Sequence, residues 1–332
     1  MTMLKISTAP HISSPTTTRS IMLDVIFALM PALIASVLFF GINALIITLT
    51  AVASCVFFEY AAHRWFFKTE PHLWNCSAVV TGILLAFNLP SNIPLVLVVI
   101  GSFVAIVVAK AMFGGLGKNI FNPALVGRVF LFISFPAFMS SWPKPHFADI
   151  LNFDAATSAT PLALMKHSEA VTSATKLAAQ ADIMPDYMQM FLGNTGGCLG
   201  ETSALALLLG FAYLMLRKVV SWKIPFFYIG TVFILFAVAQ IITGNPRFDA
   251  VAQILSGGLM LGALFMATDY TTSPMTEKGR AVFAIGCGVL TFIIREYSAY
   301  PEGVSFAILI MNAFVPLIDK IYIPKLFGIG KK

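Results

Sequence analysis

The sequence has 332 residues, of which 58% are hydrophobic and only 11% are charged. This composition excludes an ordinary soluble domain and is typical of a protein that crosses a membrane several times. The formal net charge of +6 comes from basic residues scattered between apolar runs. They do not form the basic stripe with aromatic neighbours that marks a nucleic-acid-binding surface. We therefore expect this chain to lie in a lipid bilayer and to bind no nucleic acid.

Apolar runs of about 20 residues, the length an α-helix needs to cross the hydrocarbon core, recur along the sequence. Residues 1–20 are rich in Ser, Thr and Pro and lack the apolar core of a signal peptide, so the first run is expected to be retained. The pattern predicts an all-α integral membrane protein with ten transmembrane helices, at residues 21–40, 43–63, 76–90, 94–113, 122–142, 199–216, 223–242, 250–268, 280–296 and 303–319. Asn88-Leu89-Pro90 and the nearby Pro94 predict that the third helix is short or broken.

The lysines and arginines predict the orientation, because loops rich in these residues stay in the cytoplasm. An N-terminus inside the cell leaves sixteen basic residues on the inner side and five on the outer side. The five outer residues are Lys144, Lys166, Lys176, Arg247 and Arg295. Both termini are therefore expected to be cytoplasmic, with residues 143–198 on the outer face.

The ten helices divide into two halves that resemble each other. The glycine-containing segment from Gly82 to Pro94 resembles the segment from Gly258 to Pro274, and Asn122 and Asn312 fall on corresponding helices. Two copies of an odd number of helices must be inserted upside down relative to each other, which is an inverted repeat. The expected organisation is a cytoplasmic segment at 1–20, a first five-helix repeat at 21–142, an outer interval at 143–198, a second five-helix repeat at 199–320 and a cytoplasmic tail at 321–332.

Cysteines and histidines predict neither disulfides nor a metal site. The four cysteines, Cys55, Cys76, Cys198 and Cys287, are far apart and form no C-x-x-C pair. The five histidines offer no pair within apolar helices that could ligate a haem from both faces. A redox cofactor would have to be held in another way.

Three polar features have two interpretations each. Thr160, followed by Pro161, is a helix N-cap that opens a surface helix reaching about Gln180, or it has a role in binding. Asn119 and Asn122 either cap the fifth helix or present their amides to a ligand. Asp269 either ends a helix beside hydroxyl groups or contributes to cation passage. The acidic residues Asp24, Glu59 and Asp319 lie near predicted helix ends and are expected to reach the interface.

Residues 154–162, Asp-Ala-Ala-Thr-Ser-Ala-Thr-Pro-Leu, resemble the D-G-x-[ST]-G-A-T motif of the flavin-carrying subunits of two ion-pumping redox complexes. These are the D subunit of the Rnf complex and the B subunit of the sodium-translocating NADH:quinone reductase. The glycine-rich segment 113–124 and the segment Met266-Ala-Thr-Asp with Gly279-Arg280 resemble two further elements of the same subunits. Ala155 and Ser158 stand where glycines are usual. The length of the chain favours the Rnf subunit, with the quinone reductase subunit as the alternative.

The resemblance implies FMN joined through its phosphate to the Thr160 hydroxyl. Asp154, Thr157, Ser158 and Ala159 would surround it. A helix that begins just after Thr160 would direct its N-terminal amides at that phosphate. The resemblance also implies a non-covalent riboflavin, for which the amides of Asn119 and Asn122 are candidates.

The function implied is electron relay within a ferredoxin:NAD⁺ oxidoreductase that drives Na⁺ or H⁺ across the bacterial inner membrane. The chain would be one subunit of this translocase and would not be catalytic alone. Its expected partners are the covalent-FMN protein RnfG, the membrane proteins RnfA and RnfE, the NAD-binding RnfC, the iron–sulfur protein RnfB and a flavin transferase. The sequence has no G-x-G-x-x-G fingerprint after a strand, so NAD is expected to bind elsewhere. An alternative from another class is a secondary transporter or channel without a redox cofactor.

Overall fold

The computed structural model describes residues 16–68, 73–143, 145, 160–167, 186–201, 203–298 and 302–323. Within these ranges the regular elements are helical and no β-strand occurs, so the predicted all-α class is confirmed. The α-helices are α1 (Thr18–Phe40), α2 (Ile42–Ala61), α3 (Ser77–Phe87), α4 (Leu95–Phe103), α5 (Pro123–Ser134), α6 (Pro136–Met139), α7 (Pro161–His167), α8 (Tyr187–Leu192), α9 (Ala204–Leu216), α10 (Lys223–Thr243), α11 (Ala250–Leu255), α12 (Leu259–Leu261), α13 (Glu277–Tyr297) and α14 (Val304–Ile321). Three of them continue as π-helical turns, α2 over Ala62–Phe67, α4 over Val104–Ala111 and α12 over Gly262–Met266.

Four helices in the described ranges are long and apolar enough to cross a membrane, namely Thr18–Phe40, Ile42–Phe67, Lys223–Thr243 and Val304–Ile321. Large apolar side chains on these helices point outwards, and Leu49 is 59% exposed and Ile241 83% exposed. Such a surface is stable against lipid and not against water. The chain is therefore a membrane protein. Shorter apolar helices at Ser77–Phe87, Leu95–Ala111, Pro123–Ser134 and Ala204–Leu216 coincide with other predicted runs, while the total of ten crossings stays a prediction.

The helix breaks have identifiable causes. As predicted, α3 ends at Phe87, and Pro94 is the N-cap residue from which α4 begins. The run predicted at 250–268 is broken, which the apolar pattern did not indicate. Gly257 and Gly258 both have left-handed backbone conformations, with φ of 69° and 67°. An α-helix cannot continue through two such residues, so α11 and α12 are separate.

The two halves of the chain interlock. Helix α1 packs against α9, and α5 packs against α14, so both of these helix pairs join one half to the other. The approach of α1 to α9 is close because Gly210 lies over the α1 backbone. A Cβ atom on Gly210 would lie 1.9 Å from the carbonyl oxygen of Ala28. Within the halves, α2 packs on α4 and α10 packs on α13.

Candidate functional site

Thr160 opens α7, as the sequence predicted. Its Oγ1 accepts a hydrogen bond from the backbone amide of Ala163 at 3.2 Å, and Pro161 is the first helical residue. The residue is 6% exposed. The predicted extension of this helix beyond His167 lies outside the described residues. So do four predicted neighbours of the flavin, which are Asp154, Thr157, Ser158 and Ala159.

Helix α7 is held on the protein by one apolar face. Leu162 and Met165 pack in a small buried cluster with Met190 of α8 and Ala252 of α11. Three segments that are distant in sequence thus bury one another's side chains. The N-cap of Thr160 has a fixed position because the helix it opens is packed.

A lysine ties the other end of α7 to α13. Lys166 Nζ donates to the carbonyl oxygen of Arg295 at 3.1 Å and to that of Ser298. These carbonyls lie at the C-terminal end of α13, where the helix dipole favours a cation. Burial lowers the pKa of the Lys166 ammonium, and the carboxylate of Glu296 partly counteracts this effect.

Arg295 fills the break between α11 and α12. Its Nη1 donates to the backbone oxygen of Gln253 at 2.6 Å and to the side-chain Oε1 at 3.0 Å. Its Nη2 donates to the backbone oxygens of Ser256 at 2.9 Å and Gly257 at 3.2 Å. One guanidinium therefore satisfies carbonyls that the broken helix leaves without an amide partner.

Gly257 makes the contact between this break and α7 possible. A Cβ atom there would lie 2.6 Å from Arg295 Nη2 and 2.6 Å from Leu162 Cδ2. Both neighbours belong to fixed elements, so a larger residue would separate them. The Thr160 helix, the helix break and the end of α13 form one packed unit.

A second buried arginine lies at the break after α3. Arg128 of α5 is 4% exposed. Its Nη1 donates to Asn88 Oδ1 at 2.7 Å, and its Nη2 forms an ion pair with Glu302 and contacts the Cys198 sulfur at 3.5 Å. Glu302 lies just before α14, so this arginine joins the first half of the chain to the last helix.

Three possible metal-ligating groups lie beside Arg128. Donor atoms of Cys198, Glu201 and Glu302 all lie within 4.8 Å of one another. The guanidinium contacts two of these residues and already supplies a positive charge. A divalent cation there would meet the arginine at short range, which is electrostatically unfavourable.

Asn122 is the N-cap of α5, as one of the two interpretations predicted. Its Oδ1 accepts from the backbone amides of Ala124 at 3.1 Å and Leu125 at 3.4 Å. Its Nδ2 donates to the carbonyl oxygen of Met266 at 3.2 Å. The amide thus caps one helix and also joins it to the π-helical end of α12.

Asn119 and Asp269 are connected through one hydroxyl group. Asn119 Nδ2 donates to Thr271 Oγ1 at 3.0 Å, and that hydroxyl donates to Asp269 Oδ2 at 2.8 Å. Thr272 Oγ1 also donates to Asp269 Oδ2, at 3.3 Å. Asp269 therefore follows a helix end beside hydroxyl groups, as one interpretation predicted. The Asn119 Oδ1 atom is buried and has no hydrogen-bond donor among the described residues.

Two adjoining cavities lie next to this polar cluster. The smaller, of about 80 Å³, is lined by Asn122 and Asp269 among others, and the larger has about 420 Å³. Both are lined by Val220, Thr268 and Tyr270. Three of the predicted site residues therefore converge on one region that has space for a ligand.

The polar cluster and Thr160 lie at opposite ends of α13. The helix begins three residues after Pro274, close to the cluster, and its last turn accepts the Lys166 hydrogen bonds. Its 21 residues correspond to about 30 Å at 1.5 Å per residue. The predicted sites are thus two separate regions, separated by roughly the thickness of a hydrocarbon core.

A buried ion pair lies in the first half of the chain. Lys110 Nζ is 2.9 Å from Glu59 Oε1 and also donates to Ser77 Oγ at 2.7 Å. Lys110 is 3% exposed and Glu59 is 6% exposed. Glu59 is therefore enclosed by protein, and its charge is neutralised there by Lys110. Asp24 is also buried, and it accepts hydrogen bonds from Tyr213 and Arg217.

A family model described as "NQR2, RnfD, RnfE family" matches residues 5–328. The chain belongs to this family. This member of the NQR2, RnfD, RnfE family is 44% identical over 330 residues to the D subunit of the Na(+)-translocating ferredoxin:NAD(+) oxidoreductase complex of Acetobacterium woodii, covering 99% of this chain and 96% of that protein. It is 43% identical to the D subunit of the proton-translocating ferredoxin:NAD(+) oxidoreductase complex of Clostridium ljungdahlii, covering 97% and 96%. It is 37% identical to the D subunit of the ion-translocating oxidoreductase complex of Halorhodospira halophila, covering 98% and 96%. The family resemblance inferred from the motifs is thereby confirmed.

Sequence reasoning missed the buried charges of this NQR2, RnfD, RnfE family member. Lys110, Arg128 and Arg295 were counted as loop residues, but each is at most 4% exposed. Leaving them out does not change the direction of the charge bias. One feature of the sequence could have revealed these buried charges, namely a basic residue more than one helical turn inside an apolar run. Arg128, five residues after Pro123, is an example.

Proposed function

We propose that this chain is the D subunit of an ion-translocating ferredoxin:NAD⁺ oxidoreductase and relays electrons within that complex. The main support for this proposal is that the chain is similar, over nearly its whole length, to proteins that are named as D subunits of such complexes. It acts as one subunit of a redox-driven translocase, in the bacterial inner membrane, with Na⁺ or H⁺ as the transported ion. Its partners are the other proteins of the complex, including RnfG, RnfA, RnfE, RnfC and RnfB, and a flavin transferase.

The cofactor proposed for the outer region is FMN on the Thr160 hydroxyl. A bound flavin would supply electron acceptance and donation. The support is that Thr160 stands at the start of a helix packed by Leu162 and Met165 and tied down by Lys166. A group joined to Thr160 Oγ1 would therefore have a defined anchor. The residue has a hydroxyl group able to form a phosphoester, and the chain keeps it in a fixed position.

Variants of Thr160 can separate the cap from the cofactor. Thr160→Asn keeps a strong N-cap but has no hydroxyl, Thr160→Ser keeps both, and Thr160→Ala keeps neither. Each variant is purified from a host that contains the flavin transferase, denatured in SDS and examined for flavin fluorescence on the protein band. We expect fluorescence from the wild type, none from the Asn and Ala variants, and a measurable amount from the Ser variant.

The Asn variant is the decisive member of this set. It should fold and assemble like the wild type because α7 keeps its cap, so its loss of fluorescence cannot be attributed to unfolding. Absence of flavin fluorescence from the wild-type band would contradict the proposed redox function, provided that a known flavinylated protein is fluorescent in the same host. Undiminished fluorescence in the Asn variant would exclude Thr160 as the attachment site.

Riboflavin is proposed for the region of Asn119 and Asn122. The support is the buried Asn119 Oδ1, an acceptor without a donor among the described residues, because leaving such an atom unpaired is costly. A flavin ring carries an N–H group that could donate to it. The neighbouring cavity lined by Asn122 supplies adjoining space. Asn119 would thus recognise the ligand, while Asn122 would shape its surroundings.

The two asparagines predict different variant phenotypes. Asn119→Leu should lose non-covalent riboflavin, measured by extraction and chromatography, and keep covalent FMN. Asn122→Ser keeps an oxygen that can cap α5 and loses the donor to Met266 without adding a charge, so it should retain most riboflavin. Retention of both flavins in Asn119→Leu would rule out the asparagine assignment.

Ten crossings in two inverted repeats are proposed for the membrane domain. The packing supports this in two ways. In such a repeat α1 would be equivalent to α9 and α5 to α14, and the members of each pair are in contact. The contact between α2 and α4 in the first half would likewise correspond to the contact between α10 and α13 in the second. The orientation can be tested with single cysteines labelled by an impermeant reagent. A cysteine at Lys176 should react in intact cells, and one at Lys118 should not. Cys76, the one native cysteine that is not buried, is first replaced by Gly, which tolerates its φ of 59°.

Asp269 remains a proposed contributor to ion passage. Its support is that it lines the smaller cavity while being only partly buried. Asp269→Asn should lower ion transport by the complex and leave Thr160 flavinylation unchanged. The broken helices fit a non-redox transporter equally well, and this is the alternative if the wild-type chain carries no flavin.

A further inference from the structure

The larger cavity, of about 420 Å³, lies between the end of α9, the start of α10 and the segment before α13. We call it the α9–α10 cavity. Its polar lining groups include Lys218, Arg280, Ser221 and Ser273. No aspartate or glutamate is among its described lining residues.

Neither cation of this cavity forms an ion pair with a described residue, although Arg280 lies close enough to Glu277 to interact with its carboxylate. Lys218 forms no ion pair there, and Arg280 makes one side-chain hydrogen bond, from Nε to the carbonyl oxygen of Pro274 at 3.0 Å. Neighbouring basic residues are different. Lys223 pairs with Glu277, and Arg217 pairs with Asp24. Because Glu277 is already paired with Lys223, an excess of positive charge lies beside the cavity at this end of α9 and α10.

The position of the cavity favours an amphipathic anion. The candidate membrane span Lys223–Thr243 begins beside it, so the cavity lies at the membrane interface. Trp222 and Tyr270 line it and are exposed, and aromatic residues of this kind are typical of headgroup level. Val219 and Ile224 add an apolar wall. Riboflavin is uncharged and would not neutralise these cations, so an anionic ligand suits the cavity better.

We propose that the α9–α10 cavity binds the headgroup phosphate of an anionic phospholipid. Lys218 and Arg280 hold the phosphate, Ser221 and Ser273 offer hydroxyl groups, and Trp222 lies against the glycerol and upper acyl region. Basic pockets between membrane helices have this electrostatic preference for anionic headgroups. The site is independent of the Thr160 flavin, since it lies at the other end of α13.

The test measures retained lipid on the full chain within its membrane complex. The complex is transferred to nanodiscs with equal amounts of phosphatidylglycerol and phosphatidylcholine, released in mild detergent and weighed by native mass spectrometry. The wild type should retain phosphatidylglycerol in preference to phosphatidylcholine. Each of Lys218→Gln and Arg280→Gln should reduce that preference about fivefold, the effect of one cation near the surface.

Controls separate charge from folding. Arg217→Gln removes a basic residue at the same interface that is already paired with Asp24, and it should leave the lipid preference unchanged. Arg280→Lys keeps the charge and should retain the preference. Lys218 has a left-handed backbone with φ of 57°, in the position after α9 where glycine is usual. Lys218→Gly should therefore fold well and still lose the preference.

Three results would overturn the proposal. Equal retention of both lipids by the wild type would show that no anionic site exists. Loss of bound lipid on adding excess inorganic phosphate would identify a site for the free anion. A cysteine at Lys218 that cross-links to another polypeptide in lipid-depleted complex would identify a protein interface instead.

Discussion

The backbone N–H of Asn122 donates to the side-chain oxygen of Asn312 at 3.2 Å, once the Asn312 amide is oriented to satisfy both of its atoms. In this orientation the side-chain nitrogen of Asn312 donates to the carbonyl oxygens of Thr272 at 3.1 Å and Ile308 at 3.2 Å. Asn312 is 1% exposed, and Asn122 is 3% exposed. Two buried asparagines from the two halves of the chain thus meet where α5 packs against α14.

Asn312→Leu should therefore destabilise the contact between α5 and α14. The substitution leaves the Asn122 amide and the Thr272 carbonyl unpaired in a buried place, which costs about 1–3 kcal/mol for each group. The midpoint of thermal unfolding in detergent should fall. Asn92→Ala removes an exposed amide that donates to Ser141 Oγ and should change the midpoint little. Equal midpoints for the two variants would contradict the prediction.

Replacing only one member of the Lys110–Glu59 pair should lower the stability more than replacing both members. Glu59→Gln leaves the Lys110 ammonium buried without a counter-charge, with an expected loss of about 3–5 kcal/mol. The double variant Glu59→Gln/Lys110→Met should recover most of the yield and thermal stability. Glu277→Gln, which breaks a pair whose side chains are 29% and 76% exposed, should have an effect of at most about 1 kcal/mol. A double variant no better than Glu59→Gln would show that the charge balance is not the cause.

Arg295→Lys should loosen the break between α11 and α12 although it keeps the charge. One ammonium cannot replace a planar guanidinium that donates to three different carbonyls. Hydrogen–deuterium exchange should accelerate at residues 250–258, and the thermal midpoint should fall by the equivalent of about 2–3 kcal/mol. In Arg280→Lys, where the wild-type side chain makes one carbonyl hydrogen bond, exchange at 250–258 should be unchanged.

Gly210→Ala should separate α1 from α9. The new methyl group would lie 1.9 Å from the Ala28 carbonyl oxygen, so the helices must move apart at a cost of about 1–3 kcal/mol. Gly230→Ala in α10 is the matched control, because nothing lies within 4 Å of its new Cβ atom. That variant should be neutral or more stable, since alanine is the better helix former. Similar thermal midpoints for both variants would argue against close packing at Gly210.

The helix class and the helix limits could be predicted because they depend on local properties. Apolar run length located α1, α10, α13 and α14 within a few residues, and Thr160 and Asn122 were recognised as N-caps from residue type and the following proline. These features need no knowledge of distant contacts. The family motifs added the chemistry that residue patterns alone left open.

Long-range partners could not be predicted in the same way. The Arg128–Glu302 pair joins residues 174 positions apart, and the sequence around either residue does not indicate its partner. The break at Gly257 was missed because its neighbours are apolar and the run looks continuous. The chain Asn119–Thr271–Asp269 likewise depends on two segments meeting in space, although each segment was singled out from its motif.

The Arg128–Glu302 pair also has a consequence for biosynthesis. At about 5–20 residues per second, the 174 positions from Arg128 to Glu302 take about 10–35 s to be synthesised. During this time Arg128 resides in the nascent membrane domain without its counter-ion. The first half of the chain therefore contains an unpaired arginine until most of the second half has been inserted. A chain truncated before Glu302 should accordingly remain a substrate for membrane quality-control proteases.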